Sequence, residues 1–135
     1  MVIGSFGDVV FEVSRDKVKT FDEFKRSGSA RWASHEIINK KQVMEFLGPG
    51  IETITFSIYL SSGLGVNPEE ELKKIRKMRD EGTPKPLIIA DSMVGENNWV
   101  LKSLDESSSK FDSKGNALVV VVNLTLDEYT KALKN

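Results

Sequence analysis

Hydrophobic and polar positions alternate without a break in the middle of the chain. Ile54, Phe56, Ile58 and Leu60 fall on one face, and Thr53, Thr55, Ser57 and Tyr59 on the other. A period of two residues belongs to a β-strand with one buried face, so residues 51–60 are predicted to be such a strand. A second run closes the chain. Within 117–126, Leu118, Val120, Val122, Leu124 and Leu126 line one face, while Val119 and Val121 make the other apolar as well. Apolar character on both faces predicts a central strand or one lying beneath a helix. Val9, Phe11 and Val13 predict a strand over 7–13, and shorter strands are predicted at 30–38, 43–47, 87–90 and 97–104, the last around Trp99 and Leu101.

One segment carries the period of a helix. Leu72, Ile75 and Met78 form a narrow stripe, preceded by Asn67 as an N-cap, Pro68 at the first helical position and Glu69–Glu71 at the positive end of the helix dipole; Gly82 follows as the stop. A helix over 67–81, covering a sheet with one face, is therefore predicted, with Glu70 and Lys74 as an i,i+4 ion pair. Its C-terminal half is basic, which suits the dipole and reads as a solvated face. Between the periodic segments, 14–29 and 105–116 read as long polar connections, Asn39–Lys41 as a turn, and Gly48-Pro49-Gly50 as a chain reversal that makes a hairpin. For 127–133 the pattern leaves a short terminal helix and a strand extension equally open. About six or seven strands with one main helix predict an α+β fold, a mostly antiparallel β-sandwich or partial barrel.

Composition narrows the chemistry. At 135 residues the chain has the length of one domain, 1–135, able to bury a core without metals or disulfides. The 19 basic and 20 acidic side chains leave a net charge of −1, which argues against nucleic acid or an anionic membrane as partner through long-range attraction. No cysteine is present, so thiolate nucleophiles and Cys-rich zinc sites are excluded. The longest apolar run, 117–122, is far short of the roughly 20 residues that cross a bilayer. The first residues lack a basic stretch before an apolar one, so neither signal peptide nor anchor is expected.

Candidate chemistry is sparse. His35 is the sole imidazole, and its context HEIIN is not the HExxH of a zinc site, so an ordinary strand histidine is the expected reading. Gly63-Leu64-Gly65 precedes the helix but lacks the third glycine of a dinucleotide loop and the Gly-Lys-Ser/Thr of a P-loop; a turn is expected. Asp91, Glu96, Asp105 and Glu106 show no spacing that singles out an acid–base pair. Arg31, Lys40 and Lys41 with Trp32 have the residue types of a single-strand binder without the net basic charge. Trp32 and Trp99 read as core or interface anchors. No catalytic residue, cofactor site or metal site is expected.

The stretch Arg31-Trp32-Ala33-Ser34, then Phe46-Leu47-Gly48-Pro49-Gly50, Glu52-Thr53-Ile54-Thr55 and Tyr59, resembles the gpU family of phage tail proteins, found in contractile-tailed phages and phage-tail-like bacteriocins. GDVVFEV, LKKIRKMRDEGTPKPLI and WVLKSLDE extend the resemblance over most of the chain. It implies a tail-tube-like structural component without enzymatic activity, acting in tail assembly near the tube and baseplate hub. It also implies partners among other tail proteins: tube, hub and a LysM-type tail protein. A homo-oligomeric ring in a virion tail or tail-like particle, assembled in the bacterial host cytoplasm, goes with it. On this reading Arg31, Trp32, Gly48, Pro49 and Gly50 are the expected assembly interface, with Arg31 pairing with a carboxylate of the next subunit and 14–29 and 105–116 ordering on docking. The alternatives are a tail completion protein at the other end of the tube, a nucleic-acid-binding module and a cell-wall hydrolase accessory domain.

Overall fold

Two antiparallel sheets and one helix share a single hydrophobic core in the computed structural model, which describes residues 2–13, 18–19 and 21–130. The first sheet is built from β1 (Val2–Phe6), β2 (Val9–Val13), β3 (Val18–Lys19), β8 (Leu87–Ile89) and β9 (Ser92–Met93), in the order β3-β2-β1-β8-β9. The second contains β4 (Phe21–Ser27), β7 (Thr53–Ser61), β10 (Trp99–Phe111) and β11 (Ala117–Glu128), in the order β10-β11-β7-β4. β5 (Ala30–His35) and β6 (Val43–Pro49) pair only with each other. A 3₁₀ turn (Ser62–Leu64) leads from β7 to helix α1 (Pro68–Glu81). Among the described residues no sheet closes into a barrel, and the architecture is the mostly antiparallel α+β arrangement that the sequence pattern predicts.

The alternation of β7 places Ile54, Phe56, Ile58 and Leu60 inside. β11 runs along its whole length, from Val119 opposite Ser61 to Asp127 opposite Thr53, so Val120, Val122, Leu124 and Leu126 line the same inner face. Phe6, Val9 and Phe11 close the core from the first sheet, with Phe11 edge-on to Phe56 and Phe21. Leu72, Ile75 and Met78 complete it from α1. Each such side chain contributes about 1.5–3 kcal/mol when fully buried. Trp99 is wholly enclosed, and its Nε1–H donates to the Val94 carbonyl at 2.8 Å, which satisfies the indole's one polar group.

The helix ends follow from its flanking residues. Asn67 Oδ1 accepts from the N–H groups of Glu69 and Glu70 at 3.1 and 3.4 Å, and Gly82, at φ +65°, donates its N–H to the Met78 carbonyl at 3.2 Å. The ion pair of Lys74 is with Glu71, at 3.6 Å, one turn-position nearer than the expected Glu70.

Several boundaries differ from the sequence reading. The strand predicted over 7–13 starts at Val9, because Gly7 and Asp8 form the turn of a hairpin with β1, which the pattern missed. The connection predicted over 14–29 contains β4, held by the packing of Phe21 against Phe11 and Phe56; residues 14–17 and 20 lie outside the described residues. The linker predicted over 105–116 is mostly strand. β10 continues to Phe111, and only 112–116 turn, because Asp112 Oδ1 accepts from the backbone N–H of Lys114 and Asn116 at 2.8 and 2.9 Å. Gly48-Pro49-Gly50 is not a reversal: Gly48 and Pro49 continue β6 opposite Arg31 and Ala30. The hairpin's reversal is the turn predicted at Asn39–Lys41, beginning one residue earlier at Ile38, with Asn39 at φ +60°. β11 runs on through Glu128, so the undecided segment begins as a strand extension, and its residues 131–133 lie outside the described residues.

Candidate assembly interface

The β5–β6 hairpin stands apart from the two larger sheets. From residue 30 to 50 every position is exposed except Ala33, Gly48 and Gly50, which are half-buried. Such a hairpin ought to be polar, yet this one carries Trp32, Val43, Met44, Phe46 and Leu47 in its strands and Ile37 and Ile38 at its turn, all largely accessible to solvent. The register shows how they are grouped. Trp32 lies opposite Phe46 and Ser34 opposite Met44, so Trp32, Phe46 and Met44 share one face. The Trp32 and Phe46 rings meet edge-on with centroids 5.1 Å apart. An exposed apolar face of this kind makes the hairpin a candidate contact site.

The root of the hairpin is made by the residues singled out in the sequence. β6 carries one extra residue, Leu47, between the pairs Trp32–Phe46 and Arg31–Gly48. The bulge turns the Leu47 carbonyl toward Arg31, whose Nη2 donates to it at 3.3 Å. Gly48 sits at φ +122°, a backbone region that L side chains rarely enter. Gly50 donates its N–H to the Ser29 carbonyl at 2.9 Å, and a Cβ there would lie 2.6 Å from that oxygen. Pro49 is exposed between them. Both glycines are thus required by the backbone, though for a bulge and a close crossing rather than for a reversal.

Beside this root a cleft of about 710 Å³ opens between Arg31 and the loop at Glu96. Its polar groups are largely engaged within the subunit. Arg26 pairs with Glu52 at 2.5 Å, Asn97 Nδ2 donates to Glu128 Oε2 at 2.8 Å, and the Glu52 N–H donates to Glu128 Oε1 at 3.1 Å. These bonds tie the base of the hairpin to β11 and set the direction in which it projects.

Among the remaining candidates, His35 and Glu106 have partners within the subunit. His35 Nε2 meets Glu45 Oε2 at 2.9 Å across the hairpin, with both side chains more than half exposed. Glu106 is held by Arg76 Nη2 at 2.7 and 3.0 Å. Gly63 and Leu64 lie in the 3₁₀ turn, and Gly65 caps it at φ +80°. Among the described residues no group of three or more His, Asp or Glu side chains could hold a metal ion. No helix among them is long and apolar enough to cross a membrane. The sequence reading named Arg31 and Trp32 but missed Phe46 and Met44. Only the cross-strand register, set by the turn at Ile38 and Asn39, joins those two to Trp32.

The family model described as Phage P2 GpU matches residues 7–131. A search of curated proteins finds no match. Among solved structures, a chain from the tail of an empty GTA particle, computed with helical refinement in C6 symmetry, superposes with a TM-score of 0.50 at 11% sequence identity; the alignment covers 100% of this chain and 96% of that chain.

Proposed function

We propose that the chain, which belongs to the Phage P2 GpU family and is a structural component of a phage tail or tail-like particle, assembles into a homo-oligomeric ring near the tube and baseplate hub, without catalysis. Tube, hub and LysM-type tail proteins are its neighbours there. The observation that carries this reading is the projecting β5–β6 hairpin, whose Trp32, Phe46 and Met44 form an apolar face with no partner in the subunit's core. A lone subunit leaves that face in water, and docking on a neighbour removes it, at about 25 cal/mol for each Å² of apolar surface covered. Arg31, Gly48, Pro49 and Gly50 fix the angle at which the hairpin leaves the body, and Arg31 keeps donor capacity beyond its one bond to Leu47 for a carboxylate on the next subunit. The likeness to a chain of a C6 tail supports ring formation, since a heterologous contact repeated around an axis closes on itself.

Trp32→Ala and Arg31→Ala test the interface. Both variants are expected to stay soluble with near-native melting, yet to enter tails poorly when the other tail proteins are produced in the same cells. Normal incorporation of both would overturn the interface and reduce the Arg31–Trp32 pair to packing within the hairpin. A particle reconstruction tests the position. Density for the chain at the hub end agrees with the proposal, whereas density at the far end of the tube supports a tail completion role instead.

A further inference from the structure

The chain has no cysteine, so its four methionines carry all of its sulfur. Three of them lie among the described residues, in different surroundings. Met78 is 5% exposed and packs into the core from α1, Met93 is 48% exposed on β9, and Met44 is 54% exposed on β6. Of these, Met44 alone shares a face with Trp32 and Phe46. Resting on the reading of that face as an assembly contact, we propose that Met44 is a modification site: hydrogen peroxide oxidises its thioether in the free subunit, and the sulfoxide formed keeps the hairpin from docking.

The chemistry needs little more than access. A lone pair of the Met44 sulfur attacks one peroxide oxygen; the sulfur–oxygen bond forms as the O–O bond breaks, and the other oxygen leaves as water, carrying the proton shed by the first. The thioether loses two electrons and the peroxide gains them, so the step balances with the one oxidant named. A thiolate would ordinarily compete for that oxidant, and this chain holds none. Met78, enclosed by the core, is shielded from the same reagent.

The placement of charge gives the oxidation its effect. Ser34 lies opposite Met44 and Trp32 opposite Phe46, and all four of these side chains are uncharged. Ala33 opposite Glu45, and His35 opposite Val43, belong to the other face of the ribbon, where His35 and Glu45 meet at 2.9 Å. A thioether on an uncharged face can be covered by apolar atoms without leaving any polar group unmatched. A sulfoxide cannot. Its oxygen is an acceptor, and covering it with no donor opposite weakens the contact by roughly ten- to a hundredfold. A contact repeated around a ring compounds that loss. Docking also reverses the exposure, because a sulfur covered by a neighbour is out of the reagent's reach. Oxidation therefore acts on subunits that have not yet assembled, and reduction of the sulfoxide returns them to use.

Met93 supplies the control, since it is nearly as exposed but lies on β9 of the five-stranded sheet. The purified chain is treated with hydrogen peroxide, its oxidised methionines are located by mass spectrometry of peptides, and it is added to extracts of cells that make the other tail proteins without it. Oxygen is expected on Met44 and Met93 but not on Met78, with unchanged melting. Incorporation into particles should fall at least ~10-fold and be restored by methionine sulfoxide reductase with a thiol reductant. Met93→Leu should lose incorporation on treatment as the wild type does. For Met44→Leu, incorporation is compared before and after peroxide, and treatment is expected to change nothing. Should that variant fail to assemble at all, reversal by the reductase in the Met93→Leu chain, with the removed oxygen traced to Met44, decides the same point. A Met44 that stays reduced while Met93 is oxidised would overturn the site, as would a loss on treatment in Met44→Leu. Normal incorporation of chains oxidised at Met44 would overturn the control of docking. In that case Trp32→Ala separates the two readings: its exclusion from particles leaves the interface standing, and its normal incorporation removes both.

Discussion

The β10–β11 hairpin carries Trp99 into the shared core with 0% of its surface left to solvent, whereas the β5–β6 hairpin leaves Trp32 53% exposed. Both tryptophans lie on strands of antiparallel hairpins, and both sit in sequence among apolar and polar neighbours. Their surroundings differ in what closes over them. β11 packs against β7 and faces the first sheet, so the inner face of its hairpin is covered and Trp99 finds the Val94 carbonyl for its indole N–H. β5 and β6 pair only with each other, so Trp32 has Phe46 and little else. A hairpin becomes core or contact surface through what the rest of the chain lays on it.

That contrast can be broken or sharpened by measurement. The largest effect is expected for Trp99→Ala, which should destabilise the body by about 3–5 kcal/mol through lost burial and the cavity left behind. Urea unfolding measures it, and a cost below about 1 kcal/mol would erase the difference between the two hairpins. Gly48→Val should cost about 1–3 kcal/mol because of its positive φ. The cost should fall on the projecting hairpin alone, read as lost amide protection over 30–50 by hydrogen exchange with β7 and β11 unchanged. Asn67→Ala should lower the stability of the body by about 1 kcal/mol by removing the acceptor for the N–H groups of Glu69 and Glu70, again by urea unfolding, with the hairpin unaffected. His35→Ala, which removes an exposed ion pair, should cost about 0–1 kcal/mol and leave incorporation into tails intact. Loss of incorporation in a stably folded His35→Ala chain would give the imidazole a role that its geometry does not suggest.

The smallest effect concerns the tip of the second hairpin. Hydrogen bonds from the backbone of Asn116, aided by its side chain and by the N–H groups of Lys114 and Gly115, hold the Asp112 carboxyl below the usual aspartate range. A folded-state pKa below the unfolded one contributes stability above the unfolded pKa, which is lost as pH falls through the folded value. Amide exchange at Asn116 should therefore accelerate as the pH drops below the ordinary aspartate range. Asp112→Asn should remove that dependence, while the β5–β6 hairpin should show no matching change over the same interval.

Local chemistry made part of this legible in advance. The two-residue period of 53–60 and 118–126, the Asn67-Pro68 start and the Gly82 stop each depend on neighbours in sequence, so they read correctly. β4 did not, because Phe21 is held by Phe11 and Phe56, one of them on the other sheet. The polar stretch from Asp105 to Phe111 reads as a linker until β11 is placed beside it to supply the hydrogen bonds of a strand. At the candidate interface the identities of Arg31, Trp32, Gly48, Pro49 and Gly50 stood out in the sequence, but their arrangement did not. The bulge at Leu47 and the crossing at Ser29 are contacts between segments that sequence spacing leaves apart.

By itself, the amino-acid sequence determined the fold class, the two long inward-facing strands, the capped helix and the absence of thiol chemistry, since periodicity, capping and composition act over a few residues or over none. Tertiary structure alone decided which tryptophan is buried, how Gly48-Pro49-Gly50 is used and which strand edges stay open. Those outcomes depend on burial and hydrogen bonding between distant segments, and a sheet edge exists only after the rest of the sheet has formed.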